Sequence, residues 1–266
     1  MIAHVLLPDD RRPAPAGAFS ASLTYGWRAL LKIKHIPEQL FDVTVFPIMM
    51  TVMFSTIFGG ALAGGVGDYV QWLIPGVFVQ TLIMITMYTG LTLNRDISKG
   101  VFDRFRSLPT WRPAQLVGAL LGDQVRYTIA GVIILVVGFV MGFRPEGGLP
   151  GVLVSFVLLL VFSFCLSWVW TTVALLVRTE QAAMGVSMFI LMPLTFVSNI
   201  FVDPATMPRW LQAFVEVNPV SVVVGIIRDM MGGTYDVGRL ALVLVYCAVL
   251  LAIFGPISMR LYNRKN

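Results

Sequence analysis

The residues best placed to do chemistry lie in one short stretch, RDISKGVFDRFRSLPTWRP, residues 95–113. Arg95, Lys99, Arg104, Arg106 and Arg112 alternate there with Asp96 and Asp103. Val101, Phe102 and Phe105 sit among the charges, with Gly100 before them and Pro109 after. Charges of both signs set orientation and register at a contact, and buried aromatic side chains supply most of its energy. This composition fits a surface that receives mechanical load, not one that breaks bonds. Sequence patterns for bond breaking are absent. The chain has no G-x-x-x-x-G-K-[ST] phosphate loop, no H-E-x-x-H and no G-x-S-x-G. Its two cysteines, Cys165 and Cys247, each fall in an apolar segment, which suits small core residues better than a disulfide framework or metal site.

The elements that hold this stretch are membrane spans. Of 266 residues, 57% are hydrophobic and 12% are charged, about half the charge of a soluble domain. Charge that sparse cannot cover a water-facing surface. About twenty apolar residues cross a bilayer, and six segments reach or approach that length. They are residues 43–62, 71–93, 127–143 (the apolar part of a helical stretch 114–143), 152–177, 182–202 and 240–259. Pro193 falls near the middle of the fifth, where a proline permits a kink. Trp168 and Trp170 lie toward one end of the fourth, as interfacial aromatics do. Asp123 and Arg126, one helical turn apart, read as an ion pair at the membrane boundary.

Two further segments are amphipathic or too short to span. Residues 20–38 place Leu23, Trp27, Leu30 and Leu31 opposite Arg28, Lys32 and Lys34, the pattern of a helix lying on anionic lipid. Residues 1–19 read as a flexible tail before it. Residues 203–233 read as a pair of short helices dipping into the outer leaflet, with Asn218-Pro219 as a start and Gly232-Gly233 as a stop. Glu216, Arg228 and Asp229 are then expected at the outer water boundary. Six spans put 15 of the 19 Lys and Arg residues on one side, with Arg144, Arg209, Arg228 and Arg239 on the other. The basic side is cytoplasmic, so both termini are expected there. The net charge of +5 is spread over membrane-flanking loops, which argues for a lipid surface and not for nucleic acid.

The order of these features resembles the permease subunit of type-2 ABC exporters. More closely, it resembles the daunorubicin/doxorubicin-resistance permeases of actinobacteria. The likeness rests on the interfacial helix, on DISKGVFDRFRSLPTWRP after the second span, and on PLTFVSNIFVDPATMPRWLQAFVEVNPVS, residues 193–221. It implies an all-α integral membrane fold over residues 20–266 that forms half of a channel, completed by a second copy or a similar permease. It also implies a separate ATPase chain that carries ATP and Mg²⁺, so that this chain is no enzyme itself, and a bacterial plasma membrane. Asp96, Lys99, Gly100, Asp103, Arg104, Phe105, Arg106 and Pro109 would contact that ATPase through a coupling helix, with Val101 and Phe102 as added anchors.

The cargo implied is apolar or amphipathic, entering near the first, second and fifth spans. Met49, Met50, Met53, Met84, Met87, Met188 and Met192 are candidates for an adaptable wall. Thr81, Thr86, Thr89 and Thr92 either bond back to their own helix or line the path with hydroxyls. The alternative reading is an ATP-independent channel or carrier, with the 95–113 loop acting only as a topology signal.

Overall fold

The computed structural model describes residue 45 and residues 47–57, 66–100 and 114–264. The tail, the interfacial helix and the loop from Val101 through Pro113 lie outside these, and so do parts of the first span. Within the described residues the chain is helical, with no strand. The helices are α1 (Pro47–Ile57), α2 (Val66–Ser98), α3 (Ala114–Val140), α4 (Gly148–Leu176) and α5 (Glu180–Phe196). A 3₁₀ turn (Pro204–Thr206) follows, then α6 (Arg209–Val217), α7 (Pro219–Met231) and α8 (Val237–Arg264).

α2 is the axis of the bundle. It packs against α3, α4, α5 and α7, and Leu73, Ile74, Phe78, Leu82, Ile83 and Ile85 along it are fully buried. At roughly 1.5 Å per residue, its 33 residues outrun a hydrocarbon core of about 30 Å, so its polar last turn projects past the apolar layer. Close approach of α2 and α4 depends on Gly90. A Cβ there would stand 2.6 Å from the Trp170 carbonyl oxygen. Small residues at such crossings are how membrane helices gain packing energy. α8 is the least buried of the long helices, and Leu244, Val245, Val249 and Ile253 present an apolar surface on it.

Among the described residues, four helices, α2, α3, α4 and α8, are long and apolar enough to cross a membrane, and α6 with α7 makes a fifth if that bent pair is one span. The count of six is therefore not reached by length alone. The described part of the first segment is the short helix α1, and the fifth segment gives only the 17 residues of α5. α5 ends at Phe196, so Pro193 sits in its last turn and not at mid-span, and residues 197–202 leave the helix. The tryptophans also depart from expectation. Trp170 is in the core and donates its indole N–H to Thr86 Oγ1 at 2.8 Å, and Trp168 is buried beside it in a smaller cluster. Burial is possible here because the indole N–H of Trp170 finds an acceptor inside the bundle.

Candidate functional site

Two polar assemblies stand at opposite ends of α2. At the loop end, Asn94 is buried and its Nδ2 donates to the carbonyls of Ala174 (3.0 Å) and Val177 (3.1 Å), at the end of α4. A helix leaves its last carbonyls without intrahelical partners, and Asn94 satisfies two of that kind. The next residue, Arg95, grips Glu180 in a two-pronged contact, Nε to Oε2 at 3.0 Å and Nη2 to Oε1. Glu180 opens α5, after Thr179 caps it by accepting from Ala182 N at 3.2 Å. A carboxylate suits that helix start, where the backbone dipole is positive. α2 then ends: Gly100 takes φ +66°, the left-handed conformation that closes a helix. Asp96 is half-buried and Lys99 exposed on this last turn. Of the expected contact residues, Val101, Phe102, Asp103, Arg104, Phe105, Arg106 and Pro109 fall outside the described residues. Nearby in α3, Asp123 and Arg126 do pair at 3.0 Å, but shielded inside the protein, with the Arg126 side chain 3% exposed.

At the other end, Arg228 turns inward and does not face water as its place in the sequence suggested. Its guanidinium lies 3.5 Å over the Trp72 ring. It donates to the carbonyls of Trp72 (3.1 Å), Asn199 (2.8 Å) and Ile200 (3.0 Å). Those last two acceptors belong to the strip that unwinds after Pro193. Tyr69 donates to a third carbonyl in it, that of Phe201, at 3.1 Å. Asn218 does double duty. Its side chain accepts from Val220 N to start α7, and its Nδ2 donates to the carbonyls of Leu194 (2.9 Å) and Val197 (2.6 Å). The expected start and stop are both present: Pro219 is the first residue of α7, and Gly233 takes φ +86° beyond its end. α6 and α7 meet at 77°. Glu216 is exposed, and Asp229 pairs with Arg239 at 2.7 Å.

Between the two ends, the candidate path residues divide into two sets. Thr86 and Met87 are buried in packed core, and Met84 and Met188 lie half-buried against it. Met49, Met53 and Met192 face outward. Thr81 bonds back to Val77 O at 2.8 Å and Thr86 to Ile83 O at 2.6 Å. Thr89 instead meets the Tyr127 hydroxyl at 2.5 Å, and Tyr127 meets Ser167 at 2.9 Å, an inter-helix network without any local signal in the chain. A wholly apolar cavity of about 260 Å³ opens between α5 and α8, with Ile83, Phe162, Trp170, Leu191, Tyr246 and Phe254 among its walls. Its share of α5 is Ile190, Leu191 and Leu194, neighbours of the methionines. Among the described residues no three His, Cys, Asp or Glu side chains converge as a metal site requires.

A helical membrane bundle with a sharply bent pair of short helices and, in its sequence, a charged loop after its central span defines a class, and the comparisons agree with it. Residues 21–232 match the family described as ABC-2 type transporter, and the chain belongs to that family. It is a membrane permease of that family, 46% identical over 263 residues to the daunorubicin resistance ABC transporter permease protein DrrB1 of Streptomyces coeruleorubidus, covering 99% of this chain and 93% of that one. It is 27% identical over 217 residues to the probable doxorubicin resistance ABC transporter permease protein DrrC of Mycobacterium tuberculosis (79% and 78% covered). The putative transport permease ycf38 of Cyanophora paradoxa is 24% identical over 205 residues (76% and 70%).

Proposed function

We propose that this chain exports an apolar or amphipathic molecule, of the drug or lipid kind, as the permease subunit of an ATP-driven transporter. The near full-length likeness to a daunorubicin resistance permease carries the reading. A separate ATPase chain binds ATP and Mg²⁺ and seats on residues 95–113, with Asp96, Lys99, Gly100 and the charged and aromatic residues through Pro109 as its contact. Both termini are cytoplasmic, residues 20–38 lie on the inner leaflet, and six crossings make up the domain, the short α1 and α5 among them. A second permease completes the path. The apolar cavity and the outward methionines Met49, Met53 and Met192 suit cargo without charge-specific recognition. ATP closes the two ATPases together and shifts the bundle between two packings, each with a different affinity for nucleotide.

Inside-out membrane vesicles carrying the chain and its co-purified ATPase test this. ATP-dependent accumulation of daunorubicin, absent with ADP, is the expected result. Passive equilibration at the same rate with and without ATP would favour the channel or carrier reading instead.

A further inference from the structure

The turn between α4 and α5 is gripped on both sides, and both grips come from consecutive residues of α2. Asn94 holds the end of α4 through the carbonyls of Ala174 and Val177, and Arg95 holds the first residue of α5 through Glu180. Only residues 177–179 separate the two helices. The same turn of α2 leads directly into the loop, with Lys99 N bonded to Arg95 O at 3.1 Å. One helical turn, about 5.4 Å of rise, therefore separates the grip from the loop's root.

α5 is suited to be moved from that point. Its buried residues are Ala183, Ser187, Leu191 and Thr195, a single narrow stripe at intervals of four. At its far end it is tethered through Asn218, which takes the carbonyls of Leu194 and Val197. A helix held along one line and pinned at each end can rock about that line. Rocking would shift Ile190, Leu191 and Leu194, which wall the apolar cavity. The pair is also suited to a transmitting role by its exposure. The Arg95 and Glu180 side chains are 36% and 34% exposed, and ion pairs at that exposure add little to stability. A geometry this specific, two-pronged and backed by a buried Asn, is better accounted for by the force it directs.

We propose that Asn94, Arg95 and Glu180 form a clamp that passes displacement of the 95–113 loop directly to α5. The proposal rests on the coupling reading above, and makes Arg95 and Glu180 positioning residues that touch neither cargo nor nucleotide.

The test uses the full-length chain with its co-purified ATPase in nanodiscs. Hydrogen exchange is read by mass spectrometry without nucleotide and after trapping with ATP and vanadate. In the parent complex, trapping should change exchange in peptides from both 95–113 and 180–190. In Arg95→Glu and in Glu180→Gln, the loop response should persist and the 180–190 response should be lost. The charge swap, Arg95→Glu with Glu180→Arg, should restore it, which a merely structural role would not require. The KM for ATP, set on the partner chain, should not move in any of them. A 180–190 response unchanged in both single variants overturns the clamp and leaves the coupling reading standing. No trapping response in the loop of the parent complex overturns the coupling reading and the clamp with it. Glu180→Gln, nearly isosteric, keeps the test decisive if Arg95→Glu inserts poorly.

Discussion

The two ends of α2 are fastened by the same residue types in opposite ways. At the Arg228 end, a cation is turned inward over Trp72 and spends its donors on backbone carbonyls. At the Arg95 end, a cation stays at the surface and meets the carboxylate that opens α5, just after the three-residue turn from α4. Releasing the first takes away the donor that Arg228 supplies to the Asn199 and Ile200 carbonyls of the unwound strip after α5. The second can be broken and remade in water at small cost. One end is a fixed joint and the other a contact that can transmit movement.

Substitutions should separate these roles, and the largest loss of stability belongs to the fixed joint. Arg228→Ala removes three hydrogen bonds and the ring contact, and should cost about 3 kcal/mol or more. Thermal unfolding of the detergent-purified chain, followed by size-exclusion profile, checks this. Arg228→Lys should recover only part of the loss, because an ammonium lacks the planar fork that reaches three carbonyls and stacks on an indole. Gly90→Ala tests the middle of the same axis. The added methyl meets the Trp170 carbonyl, and overpacking of that kind costs about 1–3 kcal/mol. Its unfolding temperature should fall below the parent's by less than that of Arg228→Ala.

Asn218→Ala comes next, at about 1–2 kcal/mol for a lost cap, with α5 loosened at its far end and faster exchange in residues 194–200 as the signature. The smallest effect on stability should be Glu180→Gln, within about 1 kcal/mol of the parent. If Glu180→Gln unfolds the chain as readily as Arg228→Ala does, the two ends are alike and the contrast fails.

The sequence made the joint legible at Asn218-Pro219 and Gly232-Gly233, because capping chemistry is local: a side chain, a proline and two glycines within residues 218–233. α4 and α8 were legible as uninterrupted apolar runs, although their helices extend past the apolar windows, since helix geometry continues where hydrophobicity stops. Arg228 was misplaced because a cation in an apolar stretch was given to the nearest water. The acceptors that draw it inward, on residues 72, 199 and 200, are far away in the chain. Pro193 was read as a kink at mid-span for a related reason. Where α5 ends depends on what captures its last carbonyls, and here Asn218 takes those of Leu194 and Val197 while Arg228 takes those of Asn199 and Ile200 in the strip beyond. The Arg95–Glu180 contact spans 85 residues and carries no local signal, so Arg95 read as loop charge and Glu180 as part of a turn. Asn94 was the visible clue, a polar residue closing an otherwise apolar span.

On the proposed function, a separate ATPase works this chain through the loop that α2 leads into. The most direct measurement is capture of the tagged full-length chain from its native membrane in mild detergent, with the co-eluting proteins quantified by mass spectrometry. A P-loop ATPase at near one-to-one ratio, lost when residues 96–109 are scrambled in a chain that still inserts and stays intact, is the result predicted. An ATPase retained at the same ratio by the scrambled chain, or none with the parent chain intact, would contradict it.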